Sequence, residues 1–289
     1  MKTPSNRLRQ TGTENGRSIS NAELSPTPKL PALLRVLALV SIVLLALVGG
    51  SLFFFPTLIQ DRWIWPLTPF NTRFLGAIYL TALASLASLV YRPALARLVV
   101  PMMWIFTTVV LLSSCLHLEQ FNAARRASDL WFWVYFIDCV GASYYLGYFR
   151  GASFEGGRSL PSLWPLVLGV QAGLLGAYGL GLFVFPAATS STWSWPLDVF
   201  HARLYSSIFL TGAIGSALLS KRATAAECKA LGLVQIAFSI LVLVGVGMVD
   251  SQINKMDWGL LSNWIWLWAI ALLGIVGLGL MSQGSGRAD

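Results

Sequence analysis

Trp63-Ile64-Trp65-Pro66-Leu67, with Phe70 and Arg73 behind it, reads W-x-W-P-L-x-x-F-x-x-R. The same string returns 130 positions later as Trp193-Ser194-Trp195-Pro196-Leu197, Phe200 and Arg203. Each copy lies between two long apolar runs. The ungapped match extends over 49–89 against 179–219 and pairs Gly49/Gly179, Phe53/Phe183, Pro56/Pro186, Thr81/Thr211 and others, more than a third of the positions. Apolar composition alone aligns Leu with Leu; it does not align two Trp, two Pro and an Arg. A weaker echo joins Glu119-Gln120-Phe121-Asn122 to Asp250-Ser251-Gln252-Ile253-Asn254, and Trp131-Phe132-Trp133 to Trp264-Ile265-Trp266.

Working outward, 56% of the 289 residues are hydrophobic and 11% are charged, against about 25% charged in soluble domains. A spanning helix needs about 20 apolar residues. Runs of that length fall at about 33–55, 69–91, 95–118, 130–149, 163–185, 199–220, 227–249 and 259–281. The pattern predicts an all-α integral membrane protein with eight transmembrane helices arranged as two four-helix repeats. Four is even, so the second repeat starts on the same side as the first, and the repeats are parallel rather than inverted. The organisation expected is a disordered cytoplasmic tail at 1–30, a first repeat at 31–150, a cytoplasmic linker at 151–162, a second repeat at 163–281 and a short tail at 282–289. The first 30 residues are polar and cannot bury a core.

Lys and Arg divide fourteen to six between the two sides of this topology. The positive-inside rule then puts both termini in the cytoplasm of a cell-membrane protein and both W-x-W-P-L loops outside. The formal net charge of +8 reflects this loop bias rather than nucleic-acid binding.

Pro56 and Pro186 stop the helices before them. The indoles of Trp63, Trp65, Trp193 and Trp195 suit an interfacial layer, and residues two apart in an extended segment point to one side. Thr68 and Asp198 are expected N-caps, with Pro69 at the first helical position. Arg73 and Arg203 fall five residues further in, about 7–8 Å down their helices. A cation there opposes the helix dipole and is costly to desolvate, so each needs a partner. Glu119 and Asp250 are the candidates, with Asp61 a further one in the first half. The arrangement reads either as structural ion pairing with aromatic anchoring, or as an outward Arg/Trp vestibule for an anionic or flat solute.

Asp138 is the one acid well inside an apolar run. Intramembrane acids are costly and mark functional sites by default; Ala271 stands in the aligned region, so Asp138 breaks the repeat. Gln171 and Gln235 can supply interhelical hydrogen bonds. Gly169, Gly173, Ala177 and Gly181, and likewise Gly212 and Ser216, are spaced for close packing within the chain or for a homo- or hetero-oligomer. Cys115, Cys139 and Cys228 form no disulfide or metal spacing. His117 and His201 are not equivalent in the repeat and make no haem pair. No nucleotide-binding, metalloprotease or nucleophile motif occurs, so no catalytic residue, metal or cofactor is expected.

The string from Trp63 to Ala77, W-x-W-P-L-T-P-F-x-x-R-x-x-G-A, resembles a motif of uncharacterised polytopic bacterial membrane proteins. The second copy departs from it at Asp198-Val199 and Ser206-Ser207. The resemblance implies no activity. The leading expectation is a transporter- or permease-like protein for a small solute, because duplicated bundles often build a pathway at their interface. The alternatives are a non-catalytic membrane subunit or assembly factor, and an intramembrane enzyme using Asp138. The partners expected are the lipid bilayer, a small solute and a further copy or subunit in a homo- or hetero-oligomer, with no nucleic acid.

Overall fold

The computed structural model describes residues 29–151, 160–161 and 163–283. Positions 1–28 of the expected tail at 1–30, positions 152–159 and 162 of the linker, and 284–289 of the expected tail at 282–289 lie outside the described residues, while positions 282–283 belong to the last helix. The described chain is helical, without strands. Eight long helices follow one another: α1 Ala32–Phe54, α2 Pro69–Tyr91, α3 Ala96–Cys115, α4 Arg126–Tyr148, α5 Leu163–Val184, α6 Val199–Lys221, α7 Ala225–Ile253 and α8 Leu261–Gln283. Seven of them, all but α4, are long and apolar enough to cross a membrane. α4 matches them in length, but Asp129, Asp138 and its Trp and Tyr residues dilute its apolar character.

Local chemistry sets the helix ends. Thr68 caps α2 by accepting from Asn71 N, and Asp198 caps α6 by accepting from His201 N, as their side chains predict. Between α1 and α2 the chain makes two short turns, Pro56–Ile59 and Gln60–Arg62, before the first W-x-W-P-L segment. Pro186–Thr189 and Ser190–Thr192 do the same before the second.

The halves do not pack side by side. α1 packs on α2, α2 on α7 and α7 on α8; α5 packs on α6, α6 on α3 and α3 on α4. Each of these two rows therefore contains two helices from either half. α2, α3, α6 and α7 are the inner helices. α1, α4, α5 and α8 flank them and display large apolar side chains such as Val43, Trp133, Leu174 and Trp268, as lipid-facing helices do.

Small residues set the tightest approaches. A Cβ at Gly49 would meet Tyr79 Cβ at 2.8 Å, and one at Gly232 would meet the Gly277 carbonyl oxygen at 2.6 Å. These contacts hold α1 to α2 and α7 to α8. The α5 stripe behaves differently: nothing lies within 4 Å of a Cβ at Gly169 or Gly173, so those glycines are not needed for close packing within the chain.

At the end remote from the W-x-W-P-L loops, Arg97 of α3 reaches the start of α7. Its Nε and Nη2 donate to Glu227 Oε1 and Oε2 at 2.8 and 2.7 Å. Glu227 is 2% exposed and also closes a capping box with Thr224.

Candidate functional site

The two W-x-W-P-L segments turn inward. Trp65, Trp193 and Trp195 are 2%, 5% and 4% exposed, and Trp63 is half-buried. Rather than standing in a half-wet layer, they fill the space between the rows. Trp65 Nε1 donates to His201 Nε2 at 3.2 Å, and Trp195 Nε1 donates to Asn71 Oδ1 at 2.8 Å. Positions 71 and 201 are 130 apart, so each motif fastens the cap region of the opposite half. Phe200 packs edge-on to Trp65, and Phe70 stacks on Trp195, both with centroids 5.2 Å apart. Trp131 joins the first pair of indoles and Trp266 the second. Aromatic pairs of this kind contribute about 0.5–1.5 kcal/mol each beyond their burial.

The two arginines find partners other than carboxylates. Arg73 Nη1 donates to the Phe53 carbonyl at 2.5 Å, and Arg203 Nε donates to the Phe183 carbonyl at 3.1 Å. Those oxygens belong to the last turns of α1 and α5, where carbonyls lack helical partners and the dipole is negative. Each cation is badly placed on its own helix and well placed on the preceding one. Arg73 also lies 3.9 Å from Met248 Sδ. Among the described residues, neither arginine is in ion-pair contact with an acid.

Glu119 reaches Arg203 through a histidine. Arg203 Nη1 lies 2.9 Å from His117 Nε2, and His117 Nδ1 lies 3.1 Å from Glu119 Oε1. Arginine can only donate, so His117 Nε2 accepts and Nδ1 carries the proton toward the carboxylate. His201 is in the same state between Trp65 and Asp198, whose Oδ2 lies 2.5 Å from Nδ1. Asp250 closes the loop after α7, accepting from Met256 N and Trp258 Nε1 at 2.8 and 2.9 Å. Neither histidine's role was legible from the sequence, because each depends on a residue of the other half.

Burial pushes the Asp198 carboxyl up. The His201 ring, with the backbone N–H groups of His201 and Phe200, outweighs this and holds it below its usual range. A depressed carboxyl adds stability above its unfolded value, and that stability is lost as pH falls through the folded value. Asp198→Asn keeps the cap and cannot titrate. Between pH 5 and 3 the wild type is expected to lose more thermal stability than this variant, measured by tryptophan fluorescence; equal losses would contradict the assignment.

Below the first clasp a cavity of about 410 Å³ separates the rows. Leu44 and Val48 of α1 and Leu130 and Val134 of α4 line it. Asp138 and Ser41 interact at its wall, and the hydroxyls of Tyr135 and Tyr79 bond to each other at 3.3 Å beside them. Ile208 and Thr211 of α6 and Val234 of α7 form its back. Asp138 and Thr211 both stand twelve residues from the N-terminal ends of 23-residue helices, about 18 Å along them.

The corresponding space in the second half is nearly closed. Tyr178 stands where the first half has Val48, and its ring stacks parallel to Trp193 and packs edge-on to Phe209. Gln171, opposite Ser41 in the alignment, donates to Ser216 Oγ at 2.8 Å. Ser239 packs within 3 Å of a Cβ at Gly274, drawing α8 onto α7. A space of about 40 Å³ is left.

The apolar helices define a multi-pass helical membrane protein. No known protein family matches the chain, and no curated protein or solved structure matches it. Among the described residues, no three His, Cys, Asp or Glu side chains gather as a metal site would require.

Proposed function

We propose that the protein is a transporter- or permease-like carrier of a small, mainly apolar solute, with eight spans built as two parallel repeats and both termini cytoplasmic. The observation that carries this reading is the one-sided cavity. It reaches mid-helix depth, where an acid of the first half and a hydroxyl of the second face the same space. Transporter sites lie near the bilayer midplane at the interface of repeats, and a cavity of this volume falls within the range of small-molecule sites. The parallel duplication is supported by contacts that recur at the 130-residue offset: the caps, the arginine–carbonyl bonds and the crossed indoles. The Arg/Trp loops act in this reading as a plug above the site, and Asp138 is the acid in its wall.

Val134→Trp puts an indole into the cavity and leaves the hydrogen bonds of Trp65 and Trp195 to the opposite halves in place. Purified from native membranes, the wild type is expected to retain a small molecule detectable by native mass spectrometry, and the variant to lose it. Equal retention by a folded variant would place the molecule elsewhere.

A further inference from the structure

Behind the large cavity lies the 40 Å³ chamber left in the second half. The two spaces share Thr81, Met102, Ile208, Thr211 and Val234 as walls, so they adjoin each other across the contact between the rows. Thr211 and Gln235 are among the residues that line the inner chamber, and three of their buried side-chain atoms have no hydrogen-bond partner within the protein: Thr211 Oγ1, Gln235 Oε1 and Gln235 Nε2. Their residues are 8% and 4% exposed. Two comparable groups are satisfied. Thr81, at the position equivalent to Thr211, donates to the Ala77 carbonyl at 2.8 Å, and Gln171 bonds Ser216. A buried polar atom without a partner costs about 1–3 kcal/mol. Three such atoms on residues that line one small space therefore call for a complement.

We infer that Thr211 and Gln235 bind the neutral hydrogen-bonding head of the solute, a hydroxyl or a carboxamide, while its apolar body occupies the 410 Å³ cavity. The inference rests on the proposed reading of that cavity as a solute site. The chemistry follows from the donor and acceptor inventory. A glutamine amide donates and accepts, and a threonine hydroxyl does both, so the matching head must also do both. No charged side chain lines the chamber, and a buried unpaired ion is far costlier than a buried dipole. The volume admits a head of two or three heavy atoms and no ring. Asp138 stands apart on α4 and takes no part in this chamber.

The test uses the full-length protein in phosphatidylcholine nanodiscs, with 1-octanol, octane and octylamine as probes and calorimetric affinity as the readout. Octanol is expected to bind at least tenfold more tightly than octane or octylamine. Thr211→Val, which preserves shape, and Gln235→Leu should each weaken octanol binding about five- to tenfold, the effect of one lost hydrogen bond, and leave octane unchanged. Val134→Trp should abolish binding of all three. Octanol binding that is blocked by Val134→Trp but indifferent to Thr211→Val and Gln235→Leu would overturn the head-group assignment and leave the cavity reading standing; ordered water would then satisfy the two side chains. Probe binding that Val134→Trp leaves intact, or no binding at all, would overturn both.

Discussion

Glu227→Ala is expected to lower the stability of the protein by about 3 kcal/mol or more. The carboxylate is buried and holds Arg97 through two parallel bonds. It also accepts from the Thr224 backbone N–H and hydroxyl at 2.8 and 3.1 Å. Removing one member of a buried pair leaves the other charge uncompensated, which costs about 3–5 kcal/mol, and losing the cap adds about 1 kcal/mol. Arg97 keeps 31% exposure, so the lower part of that range applies. Replacing both residues by methionine leaves no stranded charge, and Arg97→Met/Glu227→Met should therefore be more stable than Glu227→Met alone. Thermal unfolding in detergent measures both quantities. A double variant no more stable than the single one would show that the pair does not join α3 to α7.

Trp195→Ala should cost about 3–5 kcal/mol, the usual cost of emptying a buried tryptophan site. The indole stacks on Phe70, meets Trp193 and Trp266 edge-on, and donates to Asn71. Trp133, 62% exposed on α4, is the control: its truncation should change stability by no more than about 0.5 kcal/mol. Trp195→Phe retains the stacking and loses only the hydrogen bond to Asn71, worth about 0.6–1.7 kcal/mol between helices in a membrane. If Trp195→Ala were no worse than Trp133→Ala, the indole would not be a clasp between the halves.

These two positions mark where the sequence could and could not be read. The helices were legible because apolar runs of spanning length have one stable solution in lipid. The caps at Thr68 and Asp198 were legible because capping is local. The partners of Arg73 and Arg203 were not. A buried cation suggests an acid as its partner, whereas the acceptors are main-chain carbonyls at the ends of α1 and α5, which carry no signature in side-chain identity. Glu227 escaped because its partner lies on another helix, 130 residues away. The crossing of the rows was equally hidden: periodicity reports which residues a helix buries, not which helix covers them. Asp138 was visible as a charge in an apolar run. Its cavity was not, because that depends on Val48 leaving open what Tyr178 fills on the other side.

Transport is the claim on which the functional reading turns, and uptake of the co-purified molecule into proteoliposomes tests it most directly. Saturable uptake by the wild type is expected, falling at least tenfold in Asp138→Asn while thermal stability is kept. Wild-type uptake no greater than that of empty liposomes, with the molecule still bound, would contradict it and leave a membrane protein that holds its ligand without moving it.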